Sequence, residues 1–127
     1  MREKKILIVD DEKYVLEMIQ MRLLEEGYDV SISSNPEDGI RKAIDIKPDL
    51  IIMDLIMQDM SGIDAIKILK LKPQTKNIPV IVLTGKTLEE DKSEAIKAGA
   101  TGFISKPILP NRLIQEIEKF FIEPIMK

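Results

Sequence analysis

The sequence predicts an α/β domain: five βα units folded into a doubly wound, five-stranded parallel sheet with helices on both faces. Three observations lead there. Short runs of Ile, Val, Leu and Met, too apolar to alternate, recur along the chain as strands buried on both faces do. Between them lie amphipathic stretches with helical spacing and helix-start and helix-stop residues. Strands and helices alternate from end to end, which favours a parallel sheet with right-handed crossovers.

The elements follow in order. Lys5–Val9 is a buried strand ending at Asp10-Asp11. Residues 14–26 form a helix in which Val15, Ile19 and Leu23 make an inward stripe, joined by Leu16 and Leu24, with Gly27 as its C-terminal cap. Residues 28–33 alternate apolar and polar, the pattern of a strand at or near a sheet edge. Asn35-Pro36 supplies an N-cap and a first-turn proline. The helix that follows buries Ile40, Ala43 and Ile44 and stops before Pro48. Leu50–Met53 is the central strand, and Asp54 stands at its end. Helix three covers about 62–70, with Ile63, Ile66 and Leu69 inward. Residues 78–83 are a fourth strand, with Pro79 near its start where a missing donor is tolerated. Thr87 and Glu90 have capping-box spacing and open a short, charged fourth helix capped by Gly99. Residues 101–105 make the fifth strand, ending at Lys106-Pro107. Pro110 opens the last helix, with Leu113, Ile117 and Phe120 on one face and Ile114 and Phe121 beside it.

Composition narrows the chemistry. The chain has 127 residues, 44% hydrophobic and 32% charged, with a net charge of −3. That suits one globular domain, 1–127 with a core at about 4–122. The acidic balance argues against direct nucleic-acid binding. There is no Cys and no His. Disulfides, thiolate or imidazole metal sites, Ser-His triads and a phosphohistidine on this chain are therefore excluded. With no signal peptide and no apolar run of membrane-spanning length, the expectation is a cytoplasmic protein without membrane contact.

Four of the five strands end in a residue with chemistry: Asp10-Asp11, Asp54, Thr84 and Lys106. A parallel sheet gathers these ends on one edge, where open α/β sheets bind ligands. Taken singly, each has an ordinary explanation as a cap, a loop acid or a solvated lysine. Together they make a cleft of carboxylates, a hydroxyl and an ammonium. Clustered carboxylates repel one another, and a hard divalent cation relieves this. With oxygen donors alone the expected metal is Mg²⁺ or Mn²⁺. A carboxylate beside such a metal is a plausible nucleophile towards phosphorus.

Val9-Asp10-Asp11-Glu12, Met53-Asp54-Leu55-Ile56-Met57, Ser61-Gly62, Val82-Leu83-Thr84-Gly85 and Phe103-Ile104-Ser105-Lys106-Pro107 together resemble the receiver domain of two-component response regulators, of the single-domain chemotaxis or sporulation-phosphorelay kind. The resemblance spans nearly the whole chain. It implies the flavodoxin-like strand order 2-1-3-4-5. It implies that Asp54 accepts a phosphoryl group from a sensor histidine kinase or phosphotransfer protein. Asp11, Asp54 and the backbone carbonyl of Ile56 would bind Mg²⁺ directly, and Asp10 through water. Lys106 and Thr84 would contact the phosphoryl oxygens, and Thr84 and Phe103 would form a switch pair. Output would leave through the face of helix four, strand five and helix five, to a downstream protein target or a detached effector domain. Such a domain is not an enzyme beyond catalysing its own phosphorylation and dephosphorylation. Gln58 departs from the proline often found there in the family, which leaves that turn less rigid. Lys106-Pro107 matches the family's cis peptide.

Two rivals use the same fold class or chemistry. A phosphatase of the haloacid dehalogenase type wants Asp-x-Asp after its first strand, where this chain has Asp10-Asp11-Glu12. A flavodoxin-like FMN carrier wants a phosphate-binding loop where this chain has acids. Ile56 and Lys86 each lie two residues beyond a strand-end site residue, so both are expected at the mouth. There Lys86 would pair with a phosphoryl oxygen, and neither residue could orient a hydrolytic water. A long-lived aspartyl phosphate is the expected consequence.

Overall fold

Strands and helices alternate as the hydrophobic pattern requires: β1 (Lys5–Val9), α1 (Lys13–Glu25), β2 (Asp29–Ser33), α2 (Pro36–Ile46), β3 (Leu50–Met53), α3 (Gly62–Leu71), β4 (Val80–Thr84), α4 (Glu89–Ala98), β5 (Gly102–Ser105) and α5 (Pro110–Met126). This structure, a computed structural model, describes the backbone of residues 3–126 and the side chains of 3–121. All neighbouring strands are parallel, in the order β2-β1-β3-β4-β5. The three most apolar strands, β1, β3 and β4, therefore lie inside, and the alternating β2 lies at an edge. Among the described residues no helix is long and apolar enough to cross a membrane.

Successive side chains of a strand point to opposite faces, so each central strand feeds two cores. Leu7, Val9, Ile51, Met53, Val80 and Val82 pack with Ile40, Ala43, Ala65, Ile66 and Leu69 of α2 and α3 and with Ala95 and Ala98 of α4. Ile6, Ile8, Leu50, Ile52, Ile81 and Leu83 pack with Leu16, Ile19 and Leu23 of α1 and with Leu113, Ile114 and Ile117 of α5. Leu24 departs from the expected stripe and is exposed. At 100° per residue it lies too far round the helix from Leu16 and Leu23 to share their face.

Capping follows the sequence at the start of α2 and the end of α1, and Ser61 adds a cap to α3. The Asn35 side chain accepts the Asp38 N–H at 2.8 Å, with Pro36 as the first helical residue. Ser61 accepts the Asp64 N–H at 3.2 Å. Gly27, with φ +92°, follows the end of α1. The fourth helix differs. Thr87 is not its cap; the N-cap is Leu88, and the Asp91 carboxylate accepts the Leu88 N–H at 3.1 Å. Asp91 stands at the third helical position, where an acid reaches back to the cap amide. One residue of phase shift thus leaves the bond made by Asp91 in place of Glu90.

Lys70 lies beside the far end of α4. Its ammonium donates to the carbonyls of Ile78 at 2.6 Å and Lys76 at 3.2 Å, and burial lowers its pKa below the usual lysine value. Its stem lies against Gly99, which has φ +119°, and a Cβ there would stand 2.7 Å from Lys70 Cγ. That position requires glycine both for its backbone conformation and for space.

Candidate functional site

The ladder itself delivers the site residues. Asp10 donates its backbone N–H to the Ser33 carbonyl at 3.1 Å, Asp54 to Val9 at 3.0 Å, and Lys106 to Thr84 at 2.8 Å. Each bond carries the sheet pairing one residue past a strand end. The side chains that follow are fixed at the mouth by the same network that builds the sheet. Asp10, Asp54 and Thr84 are all buried there.

Lys106 joins the carboxylates. Its Nζ lies 2.7 Å from Asp10 Oδ2, 3.0 Å from Asp54 Oδ2 and 3.1 Å from Glu12 Oε1. Burial alone would lower the lysine's pKa. The hydrogen bonds and charges of Asp10 and Asp54 outweigh it, so the ammonium holds its proton more tightly than an ordinary lysine. Burial raises the Asp10 pKa above the usual aspartate value, against the opposing bond from Lys106, and the Asp54 charge adds to the rise. The remaining carboxylate oxygens meet backbone amides. Asp10 Oδ1 accepts the Glu12 N–H at 2.9 Å, and Asp54 Oδ1 accepts the Ile56 N–H at 3.2 Å.

Carboxylate oxygens of Asp10, Glu12 and Asp54 all lie within 4.8 Å of one another, close enough to share a cation. This donor set fits a hard divalent ion. Asp11 is not in the group: it is exposed, and Glu12 on the next position turns its carboxylate to Lys106 instead. Sequence reading missed Glu12, because an exposed acid ahead of a helix looks like a solvated N-terminal charge. Ile56 brings its amide to Asp54 while its side chain faces solvent.

Gly62 explains the Ser-Gly pair after the site. Its N–H donates to the Leu55 carbonyl at 2.9 Å, and a Cβ would stand 2.1 Å from the Asp54 carbonyl oxygen. Only glycine lets α3 begin against the backbone that carries Asp54. In the loop between them Asp59 adopts the left-handed region with φ 73°, and the Lys106-Pro107 peptide is cis.

Thr84 accepts the Lys86 N–H on Oγ1 at 3.2 Å. Phe103 is half-buried and pairs with Val82 in the sheet register, two positions before Thr84 and on the same face. Lys86 turns its ammonium towards α4. Its ammonium lies 3.5 Å from Asp91 Oδ1, drawn to a carboxylate that is itself buried.

The response regulator receiver domain model matches residues 6–118. The chemotaxis protein CheY of Thermotoga maritima is 38% identical over 118 residues, covering 91% of this chain and 96% of that protein. The alkaline phosphatase synthesis transcriptional regulatory protein PhoP of Bacillus subtilis is 37% identical over 110 residues, 87% of this chain but 45% of its own length. The chain thus spans about half the length of PhoP and nearly all of that CheY. Among solved structures, Vibrio cholerae CheY4 superposes with a TM-score of 0.88 at 31% identity, over 93% of this chain and 98% of that one. A CheY-like receiver domain from Methanospirillum hungatei gives 0.88 at 31% identity, with 96% of each chain covered. With its strand order, its acid-lined strand ends and these likenesses in agreement, the chain belongs to the response regulator receiver domain family.

Proposed function

We propose that this domain is a phosphorylation switch in which Asp54 accepts a phosphoryl group from the phosphohistidine of a sensor kinase or phosphotransfer protein. The observation that carries this reading is the buried Asp54 carboxylate held by Lys106 at 3.0 Å beside Asp10. In the transfer, an Asp54 oxygen forms a bond to phosphorus while the bond from phosphorus to the donor's imidazole nitrogen breaks, and the nitrogen keeps the electron pair. Lys106 stays charged throughout and can follow the phosphoryl oxygens. Thr84 offers a hydroxyl for a charge-assisted hydrogen bond to one of them. Asp10, Glu12 and Asp54 would hold Mg²⁺, with Asp11 and the Ile56 carbonyl as the further ligands the family pattern suggests. When bound there, the ion would supply positive charge to the equatorial oxygens of the transferring group. The acid-lined mouth does not suit an FMN phosphate, and the lone Asp54 after β3 is not the Asp-x-Asp after the first strand that a phosphatase wants.

The donor's approach has a shape. A groove of about 180 Å³ opens beside Lys106, lined by Val15, Met18, Pro107 and Ile108 among others. Tyr14, Met21 and Leu109 are large, apolar and exposed. Side chains of this kind suit a helical partner that must present a histidine to Asp54. For output, a Thr84 hydroxyl drawn to the phosphoryl group would vacate space beside Phe103, on the side of α4, β5 and α5. A downstream protein or effector domain would read that face.

The test is labelling with a small phosphodonor. Wild type should take up one phosphoryl group per chain, lose that ability in EDTA, and lose it in Asp54→Asn. Stoichiometric labelling of Asp54→Asn would refute the assignment.

A further inference from the structure

Three polar contacts run in series from the site to α4. Thr84 Oγ1 accepts the Lys86 N–H at 3.2 Å. The Lys86 ammonium lies 3.5 Å from Asp91 Oδ1. Asp91 Oδ2 accepts the Leu88 N–H at 3.1 Å, closing the first turn of α4. The two ends of the ion pair differ in freedom: the Lys86 side chain is 56% exposed and that of Asp91 6%. Asp91 is therefore the fixed partner and Lys86 the movable one. Lys86 also lines a small cleft with Leu55 and Ser61, which belong to the loop beyond Asp54. Asp64 and Glu94 line the same cleft, which runs up to Leu55, the residue after Asp54, so a lysine released from Asp91 has room to move along it.

We infer that Asp91 is a positioning residue for the phosphoryl chemistry at Asp54: it latches Lys86 onto α4 and so withholds a cation from the phosphoryl group. The inference rests on the phosphoacceptor reading above and concerns a residue outside it. In hydrolysis, water forms a new P–O bond as the bond to the Asp54 oxygen breaks, returning the carboxylate and releasing inorganic phosphate. A lysine over the phosphoryl oxygens screens the approach of that water. The latch keeps Lys86 elsewhere, so decay is faster than a free Lys86 would allow.

Asp91→Asn separates the two roles of the side chain. The amide oxygen can still accept the Leu88 N–H, but the charge that holds Lys86 is gone. After labelling and removal of the donor, decay in Asp91→Asn should slow by about twofold to fivefold, the range of one exposed charge pair. Asp91→Glu, which keeps the charge and the cap, should restore the wild-type rate. Lys86→Ala alone should decay as wild type does, and Asp91→Asn should have no effect in that background. A fast-decaying Lys86→Ala would overturn the proposal, because it would show Lys86 already covering the phosphoryl group. Slowing by Asp91→Asn that persists without Lys86 would overturn it too. A second arm needs no phosphoryl group: in the unmodified protein, Lys86→Ala should speed hydrogen exchange at the Leu88 amide, and unchanged exchange would contradict the latch. If no chain labels at all, the phosphoacceptor reading has failed, and the exchange arm still decides whether the latch exists.

Discussion

Two helices of ten residues each, α3 and α4, lie on the same side of the sheet and are held in opposite ways. α3 buries Ala65, Ile66 and Leu69 against the strands, and its start is wedged against the backbone of Asp54 through Gly62. α4 buries only two alanines, Ala95 and Ala98, and a carboxylate, Asp91. Its start is tied by polar side chains, Asp91 and Lys86, and its finish meets only the Lys70 stem at Gly99. Hydrocarbon packing is stiff because any shift opens a void. Polar ties to half-exposed side chains can be exchanged for others at small cost. The difference places rigidity beside Asp54 and pliancy at α4, on the face proposed for output.

The comparison is broken most strongly from the α3 side. Leu69→Ala removes a fully buried side chain and should destabilise the fold by about 2–5 kcal/mol in denaturant titration. Gly62→Ala comes next. A methyl group 2.1 Å from the Asp54 carbonyl must push backbone aside, at a cost of roughly 1–3 kcal/mol. Unlike Leu69→Ala, it should also slow labelling, because the displaced backbone carries Asp54, the proposed phosphoacceptor. On the α4 side the matching change is mild. Ile96 is 48% exposed, and Ile96→Ala should alter stability by no more than about 0.5 kcal/mol.

Asp10 extends the contrast to the strand ends, where charge again stands in place of hydrocarbon. Its folded-state pKa is raised by burial above the unfolded value of 3.8. The folded protein therefore binds that proton more tightly, and the ionised side chain costs stability at every pH above its raised pKa. Asp10→Asn should raise the melting temperature at neutral pH without added metal, and the gain should shrink as the pH falls towards 3.8. Lys106 has the opposite alkaline signature. Its raised pKa makes its contribution complete below the ordinary lysine value of 10.5 and lost as the pH climbs through the higher folded value.

Most of the fold was legible because both periodicities were clean. The apolar runs at β1, β3 and β4 read as doubly buried strands, and Asn35-Pro36 and Gly27 punctuated the helices as their chemistry requires. The gathering of Asp10, Asp54, Thr84 and Lys106 followed from parallel strands alone. What escaped depended on side-chain direction. Asp11 and Glu12 are adjacent acids, and only the turn into α1 decides which one meets Lys106. Lys86 could reach either Asp54 or α4, and the choice rests on a buried carboxylate five residues later. The capping residue of α4 slipped by one position because Thr87 and Leu88 offer the same spacing to Glu90 and Asp91. The acid at the third helical position was the available signal.

The central claim, that the phosphoryl signal passes from a rigid Asp54 platform into a loosely tied α4, is tested most directly by amide chemical shifts with and without beryllofluoride, a phosphoryl mimic. Shifts are expected at Lys86, Leu88, Lys92 to Ala98 and Phe103, with the α3 amides from Ala65 to Leu69 nearly silent. Shifts confined to the loops around Asp54, with α4 and Phe103 unmoved, would contradict it.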